Sequence, residues 1–141
     1  MTTIAVRDGV VAADTACFHA DRHVGAIRKV RRVPGGIVAI CGEAQDAARA
    51  FEWFESGCPD ERPAGLADSI SGLFLREDQS VLSFDHKLIF MAIEADFHAY
   101  GSGSKVATGA MEMGATAAQA VAIACKYDAY TRHPIHAEAL A

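Results

Sequence analysis

Asp8-Gly9 stands between two short runs whose side chains alternate, TTIAVR before it and VVAADT after it. An Asp-Gly pair tolerates the positive φ angles of a two-residue hairpin turn, and the flanking alternation lets each strand send one face inward. A tight antiparallel hairpin is therefore predicted almost at the first residue. Everything later in the chain must be compatible with a sheet that begins there.

The polar stretch CFHADRH follows and leads into VGAIRKVRRV. Pro34-Gly35-Gly36 breaks the chain before IVAIC resumes, which predicts a second strand pair. From Glu43 the period changes. Ala44, Ala47, Ala48, Phe51 and Phe54 fall on one helical face, and Gly57 and Pro59 end the helix. Leu66, Ile70, Leu73 and Phe74 in LADSISGLFL also share a helical stripe, which predicts a second helix. SVLSF and LIFMAIEA read as another strand pair around the turn DHK, with DFHAY as an edge or third member. GSGS introduces a helix reaching about Met113. Thr116 with Gln119 is a capping box opening the last helix, and the tail RHPIHAEALA reads as irregular. The predicted order is four strands, two helices, two or three strands and two helices. A four-layer αββα sandwich of the α+β class, two antiparallel sheets between helix layers, would bury both strand faces and one stripe of every helix.

With 141 residues, 51% of them hydrophobic, the chain is the size of one domain spanning 1–141 that buries a sizeable core. Its formal net charge of −5 is spread along the sequence and gives no general reason to bind nucleic acid or an anionic membrane. The cluster Arg28, Lys29, Arg31, Arg32 is the exception, and in an acidic chain it reads as a strand face rather than a phosphate-binding patch. Neither a secretory h-region nor an apolar run of roughly 20 residues is present, so a cytoplasmic location is expected. Cys17, Cys41, Cys58 and Cys125 lie far apart without a CxxC pair, which fits reduced, mostly buried thiols. As nucleophiles Cys17 and Cys41 lack a local base. His133 with His136, and His19 with His23, lack further ligands, so no metal and no other cofactor is expected.

A threonine hydroxyl is a weak nucleophile until a base takes its proton, and a chain beginning at Thr2 would carry such a base as its own α-amine. With a reference pKa of about 7.7 to 8.0 that amine lies near neutrality, and a nearby cation would lower it further. Removal of Met1 is required, and a small residue after methionine favours it. TTI opening a strand, AADT ending the next, KVRRV, the segment Gly42-Glu43-Ala44-Gln45-Asp46-Ala47 opening a helix, GSGS before a later helix and DAYT at the end of the last appear in that order. In this the sequence resembles the proteasome β-subunit and HslV (heat shock locus V) peptidase family of N-terminal nucleophile hydrolases. The resemblance spans the chain, with about Ser56 to Phe97 matched by pattern alone and short for the family.

The resemblance implies a threonine endopeptidase and carries over roles residue by residue. Thr2 is similar to the family's nucleophile, and Lys29 to the lysine that depresses the amine pKa and stabilises negative charge at the hydroxyl. Asp14 is similar to the carboxylate that orients that lysine, and Gly42 to the residue whose backbone N–H forms the oxyanion hole. Ser102 or Ser104, Asp128 and Thr131 fall where the family places groups around the amine, with Ser104 favoured by register. The spacing from Thr2 to Asp14 is shorter than the family's. An even deletion keeps Asp14 on the same strand face and an odd one turns it away.

Ile27, Arg31 and Ile40 would line the pocket for the substrate side chain, with an apolar preference. Family members form rings, so stacked hexamers or heptamers are implied, with an ATP-dependent unfoldase as partner and peptide or unfolded protein as substrate. Two other readings stand beside this one: a catalytically silent proteasome-like ring or scaffold, and an amidase of the same nucleophile class acting on a small molecule.

Overall fold

The computed structural model describes residues 2–141. Met1, and with it the expected methionine removal, lies outside the described residues. The first hairpin pairs β1 (Thr3–Arg7) with β2 (Val10–Ala13), Ile4 opposite Ala13 and Arg7 opposite Val10. Asp8 and Gly9 both take positive φ, 51° and 73°, the two-residue turn their sequence calls for. A second hairpin, β3 (Ala16–His19) with β4 (Arg22–Ala26), occupies what the sequence presents as a polar lead-in, and its register shifts between Cys17 and Phe18. β5 (Val30–Val33) and β6 (Gly36–Cys41) follow as an antiparallel pair.

α1 (Ala44–Glu55) starts where the Glu43 carboxylate accepts hydrogen bonds from the Gln45 and Asp46 N–H groups, satisfying two of the helix's orphan donors. The helix expected over LADSISGLFL does not form. Ser71–Arg76 is instead β7, antiparallel to β6 and to β8 (Val81–Asp85). Leu73 and Leu75 pack against the first hairpin while Phe74 packs against α1, so the run is buried on both faces with a period of two. The helical stripe was coincidental, because a short apolar run buried on both sides has no solvent face to reveal its period. Only glycine fits at position 72 of this strand: a Cβ there would stand 2.1 Å from the Ala39 carbonyl oxygen of β6.

β9 (Met91–Ile93) completes a five-stranded sheet in the order β5-β6-β7-β8-β9. β10 (Phe97–Gly101) crosses to the other sheet and pairs with β1, and α2 (Ser104–Glu112) and α3 (Ala117–Tyr127) follow. The Thr116–Gln119 capping box forms in full at the head of α3. The tail, expected to be irregular, forms β11 (His136–Ala139) on the free edge of β2, which gives a sheet in the order β10-β1-β2-β11. Edge pairing made strand of a segment whose own sequence gives no strand pattern. Among the described residues the order is therefore six strands, one helix, four strands, two helices and a final strand.

Three apolar clusters hold these elements together. Ile4, Val6 and Val11 of one sheet meet Val30, Ile37, Leu73 and Leu75 of the other. On the outer face of the five-stranded sheet, Val38, Phe74 and Phe84 pack against Phe51, Trp53 and Phe54 of α1. On the outer face of the other sheet, Ala5, Ala12 and Ala99 pack against Ala107, Met111, Ala120 and Val121 of α2 and α3. All four cysteines are free thiols. Cys41 is buried, while Cys17, Cys58 and Cys125 are half-buried, less enclosed than the mostly buried thiols expected.

Candidate active site

The head of β1, the end of β2, the entry to β5 and the loop after α3 converge at one place. Thr2 is buried there, directly before β1. β10 comes so close that a Cβ on Gly101 would lie 1.8 Å from the Thr2 carbonyl oxygen, so only glycine permits this pairing. Lys29 precedes β5, and its carbonyl accepts from the Ile40 N–H at 3.0 Å, which holds the lysine's backbone against β6. Its side chain is 4% exposed and reaches Thr2 Oγ1 at 3.0 Å and Asp14 Oδ1 at 3.1 Å.

Asp14 has no exposed surface and is heavily hydrogen-bonded. The Thr3 N–H donates to Oδ1 at 3.0 Å, and the Ala16 and Arg132 N–H groups each donate to Oδ2 at 3.2 Å. A buried carboxylate is expensive unless donors and a cation surround it, and this one has both. Asp14 thus lies on the strand face that meets Lys29.

A second carboxylate, that of Asp128, stands at the end of α3. Thr131 Oγ1 donates to Asp128 Oδ2 at 2.5 Å, and Ser102 Oγ donates to the same oxygen at 2.7 Å. Ser102 Oγ also lies 3.5 Å from the Thr2 carbonyl, but its one proton is engaged by Asp128, so that contact is not a hydrogen bond of any strength. Ser104, which sequence register favours, is the first residue of α2. It is Ser102, two residues earlier, that reaches Asp128. Burial and then the negative charges of Asp14 and Asp128 raise the thiol pKa of Cys125 on α3, which makes it a poor nucleophile.

Two cavities meet at Thr2. The larger, about 660 Å³, lies under the β3–β4 hairpin and is lined by Cys17, Phe18, Val24 and Ser69 as well as Thr2, Lys29 and Gly42. The smaller, about 320 Å³, is lined by Ile27, Arg31, Ile40, Ala47 and Phe51, again with Thr2, Lys29 and Gly42. All three residues expected in the side-chain pocket therefore stand at this second cavity. The Arg31 guanidinium lies 4.2 Å over the Phe51 ring and pairs with Glu55 at 2.8 Å, so much of its charge is already engaged. Gly42 borders both cavities with φ +120°, and a Cβ there would stand 2.5 Å from the Ser69 carbonyl oxygen. Nothing in the sequence marks the Thr3 and Arg132 N–H groups as part of this network, because backbone donors are anonymous in a sequence.

An antiparallel α+β fold thus brings a lysine, a threonine and a carboxylate into contact at the head of β1, with a second carboxylate held by Ser102 and Thr131. The chain has the fold of the HslV and proteasome β-subunit group. No family model and no curated protein matches the sequence. Among solved structures it is similar to eukaryotic HslV from Trypanosoma brucei, with a TM-score of 0.74 and 21% identity over 98% of each chain. It is also similar to Thiobacillus denitrificans BPH, with a TM-score of 0.72 and 20% identity over 99% of this chain and 98% of that one. The same Thiobacillus protein solved in complex with epoxomicin matches equally well.

Proposed function

We propose that the chain is a threonine peptidase in which Thr2 is the nucleophile and, once Met1 is removed, its α-amine is the general base. The observation that carries this reading is the position of Lys29, whose Nζ stands 3.0 Å from Thr2 Oγ1 and 3.1 Å from Asp14 Oδ1. Asp14 fixes the ammonium, and the ammonium both favours a developing alkoxide on Thr2 and disfavours a proton on the amine. Thr2 Oγ1 attacks the scissile carbonyl carbon as its proton passes to the amine, and the Gly42 N–H receives the oxyanion. Collapse breaks the C–N bond, the leaving amine takes the proton, and an ester remains on Thr2. Water, deprotonated by the same amine, then releases the acid and restores the hydroxyl. Asp128, held by Ser102 and Thr131, keeps the N-terminus in place, with Ser102 taking the part that register gave to Ser104.

Cavities on both sides of Thr2 favour an extended peptide over a small amide. Ile27, Ile40 and the aliphatic stem of Arg31 give the smaller cavity an apolar character. The same reading takes the three apolar clusters as the seams of a single-domain four-layer αββα sandwich. It also extends to stacked six- or seven-membered rings in the cytoplasm, supplied with unfolded protein by an ATP-dependent unfoldase. Among the described residues no helix is long and apolar enough to cross a membrane.

The test is hydrolysis of fluorogenic peptides by protein whose first residue has been determined by intact mass. Parent protein beginning at Thr2 should cleave them, and Thr2→Ala should be inactive with an unchanged melting temperature. Equal rates for the two proteins sink the mechanism. Activity on a small amide alone points to the amidase, and inactivity of a correctly processed parent points to a silent scaffold.

A further inference from the structure

The second threonine is as deeply placed as the first, with no exposed surface, yet the proposed chemistry assigns it nothing. Its amide meets one carboxylate directly, and its hydroxyl reaches a second through Thr131. The Thr3 N–H donates to Asp14 Oδ1 at 3.0 Å, the same oxygen that Lys29 Nζ binds at 3.1 Å. The Thr3 hydroxyl lies 2.6 Å from that of Thr131. Proton counting fixes the direction of that bond. Thr131 has one hydroxyl proton and gives it to Asp128 Oδ2, and a carboxylate oxygen can only accept, so Thr3 Oγ1 must be the donor to Thr131 Oγ1.

The surroundings are shaped to this hydroxyl. A Cβ on Gly103 would stand 2.1 Å from Thr3 Oγ1 and 3.2 Å from Thr131 Oγ1, so the N-cap of α2 is glycine where the two hydroxyls meet. Thr3 thereby joins the lysine-binding carboxylate to the serine–aspartate–threonine group at the end of α3. It also holds the peptide unit from which Thr2 projects.

Resting on the peptidase reading above, we propose that Thr3 is a positioning residue. Its hydroxyl, donating to Thr131, locks the Asp128 group against the head of β1 and so sets the direction in which Thr2 presents its hydroxyl and its amine. Thr3 has no exposed surface and lines neither cavity at Thr2, which places it away from substrate. Its loss therefore degrades the alignment of the reacting groups and leaves substrate binding intact.

Thr3→Val exchanges the hydroxyl for a methyl of similar size and keeps the branched strand side chain. One hydrogen bond in a buried relay predicts a fall in kcat of about tenfold, with KM within about twofold of the parent. Thr3→Ser, which keeps the donor and removes the methyl, should restore kcat to within about twofold of the parent. A structural role alone would lower the melting temperature without this split or this rescue. The Thr3→Val, Thr131→Val double variant should lose no more kcat than Thr131→Val alone, because both changes remove the same bond.

A Thr3→Val enzyme with parent kcat, a Thr3→Ser enzyme no better than Thr3→Val, or fully additive losses would each overturn the proposal. If Thr3→Val does not fold, Thr3→Ala set against Thr3→Ser reads the same bond with the same expected split and rescue, and absence of that pattern counts equally against it. Parent-rate hydrolysis by Thr2→Ala would instead sink the peptidase reading. An inactive Thr2→Ala beside a fully active Thr3→Val sinks only the role given to Thr3.

Discussion

Lys29→Met isolates the contact on which the proposed chemistry depends. Methionine keeps the length and the apolar stem of lysine and deletes the charge. In the parent, Nζ lies 3.1 Å from Asp14 Oδ1 with the two side chains 4% and 0% exposed. Two unit charges at that separation attract by about 5 kcal/mol at an effective dielectric constant of about 20, less the cost of burying both. Removing one partner of a buried pair costs about 3–5 kcal/mol, because the other charge is left behind. Asp14 would retain three backbone donors, from Thr3, Ala16 and Arg132, which places the expected loss near the lower end of that range. In a domain of this size a loss of about 3 kcal/mol lowers the melting temperature by about 6–12 °C.

Catalysis should suffer more than folding, since the ammonium 3.0 Å from Thr2 Oγ1 is the cation closest to the developing charge among the described residues. A hundredfold or greater fall in kcat is expected, roughly the effect of removing one preorganised electrostatic donor. Calorimetry and fluorogenic-peptide kinetics on the same preparations give both quantities. A melting temperature within about 2 °C of the parent would mean that the pair contributes no more than a solvated surface pair. Parent-like kcat would remove Lys29 from the mechanism.

Gly42→Ala should lose both stability and activity. Its φ of +120° suits no L side chain, and the new methyl would meet the Ser69 backbone at 2.5 Å, so about 1–3 kcal/mol of strain is expected together with a displaced oxyanion donor. Chemical denaturation and peptide kinetics would check the two losses, and an unstrained, active Gly42→Ala would refute the role given to that backbone. His98 offers a test of fold stability remote from chemistry. Burial holds its imidazole below the ordinary value, with Tyr100 packed edge-on at 5.4 Å. Because the unfolded chain then takes up the proton first, the contribution of His98 is complete above about pH 6.5 and declines as the pH falls from there towards its folded value. The melting temperature should drop over that window, and His98→Gln should flatten the drop.

Much of the candidate site was legible as a set of neighbours because its side chains are rare choices in their local patterns. A threonine directly before a strand, a lysine leading into a strand, an aspartate closing a hairpin and a glycine at a strand-to-helix junction each carry a chemical reason. Ser102 was less legible, since a two-residue difference along GSGS decides which hydroxyl meets Asp128, and that depends on where α2 begins. The donor role of Thr3 was not legible at all, being defined by a partner 128 positions away. The fold was read unevenly for a similar reason. Leu73, Phe74 and Leu75 are buried on both faces, which erases the solvent-side periodicity that separates strand from helix. β11 exists because β2 offers it an open edge, a fact that no property of HAEA contains.

By itself, then, the sequence determined the features enforced over a few residues. Asp8-Gly9 set the turn, Glu43 and Thr116 capped their helices, and glycines stood where backbones close in. Those interactions are local, and their energetics are nearly complete within a turn of chain. Tertiary structure decided which β-strands share a sheet, which serine faces Asp128, and that Thr2, Asp14 and Lys29, separated by 27 positions from first to last, come within hydrogen-bond reach. Such contacts form only when burial of the whole core outweighs the entropy of closing the loops between them, a balance that no short segment holds.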